Sequence, residues 1–232
     1  MAQLLLLPIE LFDLIYELLE PIYKALFAMT CKALYCIRID LCKIIHDRAG
    51  AIAQIAVECG GVINGAFVLD CLFGTNYTPD IDILFDVGLH PIELCAIHED
   101  PKIKYYDEFW SKINPQGISI TYCYQLFNNK QTAALCTINE YNFEGRRIKV
   151  IKCPRTGVIE YVTRFDYDFC KVIFDGKLRL LHPRTVICKE SQELDSMQCT
   201  IEYGQQGLMA TIIHTAELRR QKYRARGFKI LD

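Results

Sequence analysis

Residues 60–86, GGVINGAFVLDCLFGTNYTPDIDILFD, narrow what this chain can become more than any other stretch. An apolar lead-in, Gly61-Val62-Ile63, runs into Asn64-Gly65-Ala66 and an amphipathic segment. A Gly/Asn/Thr/Pro turn region then leads to Asp80-Ile81-Asp82-Ile83-Leu84-Phe85. Side chains alternate along an extended strand, so Asp80 and Asp82 share one face while Ile81, Ile83 and Phe85 take the other. Two neighbouring carboxylates repel, and a fold that keeps both gives them a cation or a proton to share. Magnesium, a hard ion that takes carboxylates plus phosphate oxygens, is the natural candidate. A glycine turn opening a helix would add backbone N–H groups of the kind that bind phosphate. An Asp-x-Asp pair is also common on a plainly solvated strand.

The order of hydrophobic strand, glycine turn, helix and Asp-hydrophobic-Asp resembles the nucleotidyltransferase fold, the polymerase-beta-like superfamily. Gly65-Ala66 matches its glycine turn, with alanine where the family has glycine or serine, and Asp80-Ile81-Asp82-Ile83 matches its acidic strand. The resemblance implies an α+β fold with a mixed β-sheet flanked by helices. It implies a nucleoside triphosphate resting on Gly65 and Ala66, with Mg2+ held by Asp80, Asp82 and a third carboxylate from a later strand. The reaction implied is transfer of a nucleoside monophosphate to a hydroxyl acceptor. Alternation through Phe165-Asp166-Tyr167-Asp168-Phe169-Cys170 predicts a strand with Asp166 and Asp168 on one face, which makes Asp166, or else Asp168, the candidate third ligand. That segment through Asp175-Gly176, and Arg219 to Phe228, also resemble divergent members of this fold from large DNA viruses. A viral protein acting in the host cell is what that resemblance implies.

Residues 7–46 read as a helical unit. Pro8 suits a helix start, and Ile9, Phe12, Ile15, Leu18 and Leu19 recur at helical spacing. Pro21 ends that helix; a second follows from Ile22, and a third is expected over Tyr35 to His46. Leu7-Pro8-Ile9-Glu10, with the later Cys31-Lys32-Ala33-Leu34-Tyr35, resembles the F-box. On that likeness Leu7, Pro8, Ile9, Leu11, Phe12 and Ile15 would dock on the Skp-type adaptor of a cullin ubiquitin ligase, and the following domain could be an inactive scaffold. Packing of these helices on that domain is the alternative. The expected division is residues 1–48 as the F-box-like segment and 49–232 as the nucleotidyltransferase-like domain.

Further along, Arg48 to Val57 reads as a helix, and Ile92 to His98 as a short one. His98-Glu99-Asp100 is a candidate metal cluster or a solvated loop. Thr137–Phe143 and Arg147–Ile151 predict a hairpin across Glu144-Gly145. Its Arg146, Arg147 and Lys149 would solvate an edge strand or meet phosphates. A helix is expected from Gly157, a turn at Asp175-Gly176, and a surface helix or loop over Val186–Met197. Thr211–Arg226 reads as a helix ending in Arg219, Arg220, Lys222, Arg224 and Arg226, with Tyr223 and Phe228 interleaved. Those cations complement the helix dipole and could also contact nucleic acid.

The 232 residues are 51% apolar with a formal charge of −2, which gives no global pull toward polyanions or membranes. Twelve cysteines are scattered through apolar stretches with no C-x-x-C pair, and the five histidines make no zinc spacing with them. Reduced thiols in cytoplasm or nucleus are expected. No secretory leader and no membrane-spanning run are legible.

Overall fold

The hydrophobic alternation of residues 60–86 is realised as two adjacent antiparallel strands in a computed structural model. The model describes residues 9–28, 40–77, 80–86, 101–113, 120–126, 134–153, 157–163, 165–192 and 217–231. Helices α1 (Ile9–Leu18), α2 (Pro21–Ala28), α3 (Leu41–Ala49) and α4 (Ala51–Glu58) lead into β1 (Val62–Asn64), α5 (Ala66–Leu72) and β2 (Ile81–Asp86). Then come α6 (Pro101–Ile113), β3 (Ile120–Leu126), β4 (Ala134–Phe143), β5 (Arg146–Cys153) and α7 (Gly157–Thr163). After a 3-10 turn at Asp168–Cys170 come β6 (Val172–Phe174), β7 (Leu178–Leu180), α8 (Pro183–Cys188) and β8 (Glu190–Gln192). The last helix described, α9, covers residues 217–225 and precedes β9 (Lys229–Leu231).

Seven strands form one sheet in the order β3-β4-β5-β2-β1-β6-β7. β2 and β5 run parallel, and the other pairs are antiparallel. The class is therefore α+β with a mixed sheet. β4 and β5 are joined across Glu144-Gly145, both at positive φ (49° and 77°), the turn chemistry whose twist matches a two-residue hairpin. The Asp175-Gly176 turn likewise joins β6 to β7.

Over the central strands, one face of the sheet is apolar. Ile63, Ile81, Ile83, Phe85, Ile148, Val150, Val172 and Phe174 bury against Ile45 and Ala49 of α3, Ile52, Ala53 and Ala56 of α4, and Phe109 and Ile113 of α6. Each such aliphatic side chain is worth roughly 1.5–3 kcal/mol on burial, so a one-residue slip of any central strand is prohibitive. One end of the other face packs against α7. There Leu84, Ile151, Cys153 and Ile173 meet Val158, Tyr161 and Val162 of α7. Its remaining half carries Asn64, Asp82 and Lys149 in adjacent register.

The core also takes in Ile22 of α2 together with Ile45 and Ala49 of α3, a helix that runs across residue 48. Tyr23 Oη donates to the Ile187 carbonyl at 2.7 Å, and Lys189 Nζ meets Glu20 at 2.8 Å, pinning α2 to α8. Among the described cysteines, Cys59, Cys71, Cys153 and Cys170 are buried free thiols, as small hydrophobes would be. None of the described helices is long and apolar enough to cross a membrane.

Four expectations need correction. Residues 165–171 are not a strand: Tyr167 and Phe169 stack at 5.1 Å toward Tyr223 and Phe228, and the Asp168 amide donates to Ser191 Oγ, a side-chain bond that competes with strand pairing. β5 is internal, flanked by β4 and β2, so Arg147 and Lys149 do not decorate a solvated edge. Residues 190–192 form a strand paired in parallel with β9, where a surface helix or loop was expected. The third helix begins at Leu41, capped by Asp40, whose carboxylate accepts from the amides of Cys42 and Lys43. The predicted helix at Ile92–His98 and the His98-Glu99-Asp100 cluster lie outside the described residues.

Candidate functional site

The face of the sheet opposite the apolar core gathers the acid pair. Asp82 on β2 is flanked in register by Asn64 on β1 and Lys149 on β5. Asp80 lies just before β2, on the same side. Arg147 Nε donates to Asp80 Oδ1 at 2.7 Å and its Nη2 to Oδ2 at 2.6 Å, a bidentate fork, and Lys149 Nζ donates to Oδ2 at 2.8 Å. Burial alone would raise the Asp80 pKa, but those three charge-assisted bonds hold it below the ordinary carboxylate value. Burial also works against the Lys149 ammonium, and Asp80 and Asp82 outweigh it, leaving its pKa raised.

Asp82 is in the opposite condition. Burial pushes its pKa up and the Asp80 charge adds to the rise, while Lys149, Lys222 and Arg219 oppose it. Among the described residues its Oδ1 is buried with no hydrogen-bond partner, and so are both amide atoms of Asn64, a residue only 1% exposed. Unsatisfied buried polar atoms cost roughly 1–3 kcal/mol each. Three of them on two neighbouring side chains set this spot apart from the apolar core.

The turn between them has the predicted form. Gly65 caps α5 at φ 73° and ψ −141°, a region in which only glycine is unstrained. The Gly65 amide donates to the Val172 carbonyl at 3.3 Å, so it is already engaged within the sheet. Ala66 is the first residue of α5.

The later aspartates are drawn elsewhere. Arg219 of α9 donates to Asp166 at 2.6 Å. Asp168 accepts from the buried Lys171 at 2.7 Å, with His182 Nε2 at 3.7 Å. Among the described residues no three His, Cys, Asp or Glu side chains converge in a way that could hold a metal ion. The strand beside β2 offers Lys149 to Asp82, where the resemblance calls for a carboxylate on a later strand. This donor set does not fit a two-magnesium centre.

Helix α9 supplies a second bank of cations. Tyr223 and Phe228, expected as stacking aromatics between basic residues, are instead buried with Phe169 and Phe73 and anchor the helix. Arg219 and Lys222 lie three residues apart on one side of α9, and Arg226 follows directly after the helix. Arg226 stacks over the Tyr77 and Tyr223 rings, and Arg220 pairs with Glu217 on its own helix. Lys222 feels burial first, then the charges of Arg226 and Lys149, so its pKa is lowered despite Asp82.

Sequence reasoning singled out Asp80, Asp82, Gly65, Ala66, Asp166 and Asp168, and the first three meet here. It gives no role to Asn64 and reads Arg147 and Lys149 as cations that solvate an edge strand or meet phosphates. Their alternation, Arg147-x-Lys149 against Asp80-x-Asp82, was the available signal. Of the residues proposed for an adaptor, Leu7 and Pro8 lie outside the described residues, while Ile9 and Phe12 belong to α1. Leu11 and Ile15 are exposed, together with Leu14 and Leu18.

A comparison with models of known protein families finds no match for this chain. A comparison with curated proteins finds no match either.

Proposed function

We propose that this chain is a nucleotidyltransferase-type domain that binds a nucleoside triphosphate and serves as a binding scaffold. The observation that carries the reading is the buried, unpartnered set of Asn64 and Asp82 Oδ1 beside Gly65. Buried polar atoms without internal partners are stabilised when a polar ligand supplies them. The cations around it suit phosphate. Magnesium-dependent transfer of a nucleoside monophosphate is the less favoured form of the same reading, because Arg147 and Lys149 already occupy both oxygens of Asp80.

Calorimetric titration of the four ribonucleoside triphosphates, with and without magnesium, tests binding directly. Saturable binding that Asn64→Leu weakens at unchanged fold is the expected result. Absence of binding to all of them would overturn the reading. An assay of monophosphate transfer to protein, RNA or small hydroxyl acceptors separates scaffold from enzyme: turnover abolished by Asp82→Asn would establish transfer.

A second reading has its own support. Leu11, Leu14, Ile15 and Leu18 make an i, i+3, i+4, i+7 stripe on α1, and they are 47%, 57%, 38% and 78% exposed. An apolar helix face left in water is what an F-box-like segment would offer to a Skp-type adaptor. Pull-down with that adaptor, retained by the native chain and lost on Leu14→Asp, is the expected outcome; equal capture by both would refute specific docking through α1.

A further inference from the structure

The seven-stranded sheet ends in two unlike edges. β7, at one end, is three residues long and carries Arg179 at its centre, with the guanidinium paired to Asp175 at 2.7 Å. Shortness and charge are how sheet edges discourage a further strand. β3, at the other end, has neither. Among the described residues it pairs with β4 alone, over seven positions from Ile120↔Glu140 to Leu126↔Ala134. Every second residue of such a strand directs its N–H and C=O away from its neighbour. β3 therefore presents an outer row of backbone donors and acceptors that no described strand meets. Its sequence, Ile-Thr-Tyr-Cys-Tyr-Gln-Leu, has no charged residue, proline or glycine, and its β-branched and aromatic residues favour the extended form.

We propose that β3 is the interface of a two-fold dimer, in which it pairs antiparallel with β3 of a second copy and the two sheets become continuous. The strand is its own complement. Cys123 is its middle residue, and a pairing centred there sets Tyr122 opposite Tyr124 of the second copy, Thr121 opposite Gln125 and Ile120 opposite Leu126. Aromatic meets aromatic, polar meets polar and aliphatic meets aliphatic, the kinds of cross-strand pair that stabilise a sheet. Alternation keeps the classes apart as well. Ile120, Tyr122, Tyr124 and Leu126 hold positions on one face, and Thr121, Cys123 and Gln125 hold positions on the other. The centred register joins like face to like face. A register one residue off would set the tyrosine face of one copy beside the polar face of the other. Once β3 is paired, only the short, charged β7 edges remain at the ends of the joined sheet, so the assembly closes at two copies. Seven residues a side is a small contact, so the dissociation constant should be on the order of micromolar. The proposal is independent of what the polar half-face binds.

Sedimentation of the full chain under reducing conditions, from about 1 to 100 µM, tests this. The native chain should pass from monomer to dimer over that range. Cys123→Lys sets two ammoniums opposite each other at the centre of the pairing, and should weaken the dimer roughly tenfold or more. Cys123→Glu should do the same with two carboxylates. An equimolar mixture of the two variants should recover a dimer, because each lysine then faces a glutamate. That recovery separates charge repulsion from misfolding, and it occurs only if residue 123 of one copy lies against residue 123 of the other. A native chain that stays monomeric to about 100 µM would overturn the proposal. So would a dimer that Cys123→Lys leaves intact, or a loss of dimer that the mixture does not reverse. Assemblies that grow beyond two copies would overturn it in favour of an edge that pairs without register.

Discussion

On the sheet face covered by α3, α4 and α6, Ile63, Ile81, Ile83 and Ile148 are fully buried among apolar neighbours. One residue along the same strands, on the opposite face, stand Asn64, Asp82 and Lys149. The backbone pairing is shared, so the difference lies wholly in the side chains. The first face draws stability from area removed from water, which is non-directional and additive over many residues. The second holds carboxylates and ammoniums whose mutual attraction barely offsets their desolvation. It follows that the apolar face explains why the sheet forms, while the polar half-face adds little to that stability.

The largest expected contrast comes from cutting into the apolar face. Ile83→Ala leaves a cavity at a fully buried position of a central strand, and should cost about 2–5 kcal/mol. Chemical denaturation with an unchanged slope would measure it; a loss below about 1 kcal/mol would mean that this face is loosely packed.

Gly65→Ala probes the hinge between the two regimes. The added methyl has room, since its nearest neighbour is Asp82 Oδ2 at 3.8 Å, but the backbone there is at φ 73°. The strain should cost about 1–3 kcal/mol without any clash. A variant as stable as the native chain would show that the turn can relax, and would detach the position of Asn64 from that of α5.

Asp80→Ala should cost less, about 1–2 kcal/mol, because Arg147 is half exposed and recovers water when its partner is removed. The sign of its pH dependence is fixed by the lowered pKa. The unfolded chain binds the Asp80 proton at higher pH than the folded one, so the contribution is full above the ordinary carboxylate value and fades as pH falls through the folded value. The gap between native and Asp80→Ala stability curves should therefore close in acid. A constant gap would show that the ion pair contributes nothing beyond packing.

The elements legible in the sequence are those set by local rules. The β1-turn-α5-β2 order follows from alternation and from a glycine at positive φ, and the β4–β5 hairpin follows from Glu144-Gly145. Helix α6 was legible in principle, with Pro101 at its start and Phe109 and Ile113 buried four residues apart, but the acidic residues around it masked the pattern. Illegible were the features settled by tertiary partners. The Phe165–Lys171 alternation suggested a strand, yet the aromatic cluster with Tyr223 and Phe228 decides its conformation. The acid pair was found from its own spacing. That Arg147 and Lys149, far along the chain, would claim Asp80 depends on the parallel register of β2 and β5, which the matching alternation of the two segments permits but does not fix.

Asp82→Asn is the smallest expected change in stability and the most discriminating in binding. Burial raises the Asp82 pKa, and the Asp80 charge adds to it. Between the ordinary carboxylate value and the raised one, the folded chain holds a proton that the unfolded chain has released. Native stability therefore falls as pH rises through that window. Asparagine fills the same volume without a charge to desolvate, so the variant should be as stable as the native chain or up to about 1 kcal/mol more stable at neutral pH. That advantage should vanish in acid. A clear loss of stability at neutral pH would mean that Lys149 and Lys222 hold Asp82 ionised at a net gain. For the ligand the two chemistries of the half-face give opposite results. If magnesium bridges carboxylate and phosphate, Asp82→Asn abolishes binding; if Arg147 and Lys149 meet a phosphate without it, removing a negative charge beside them leaves affinity intact or raises it.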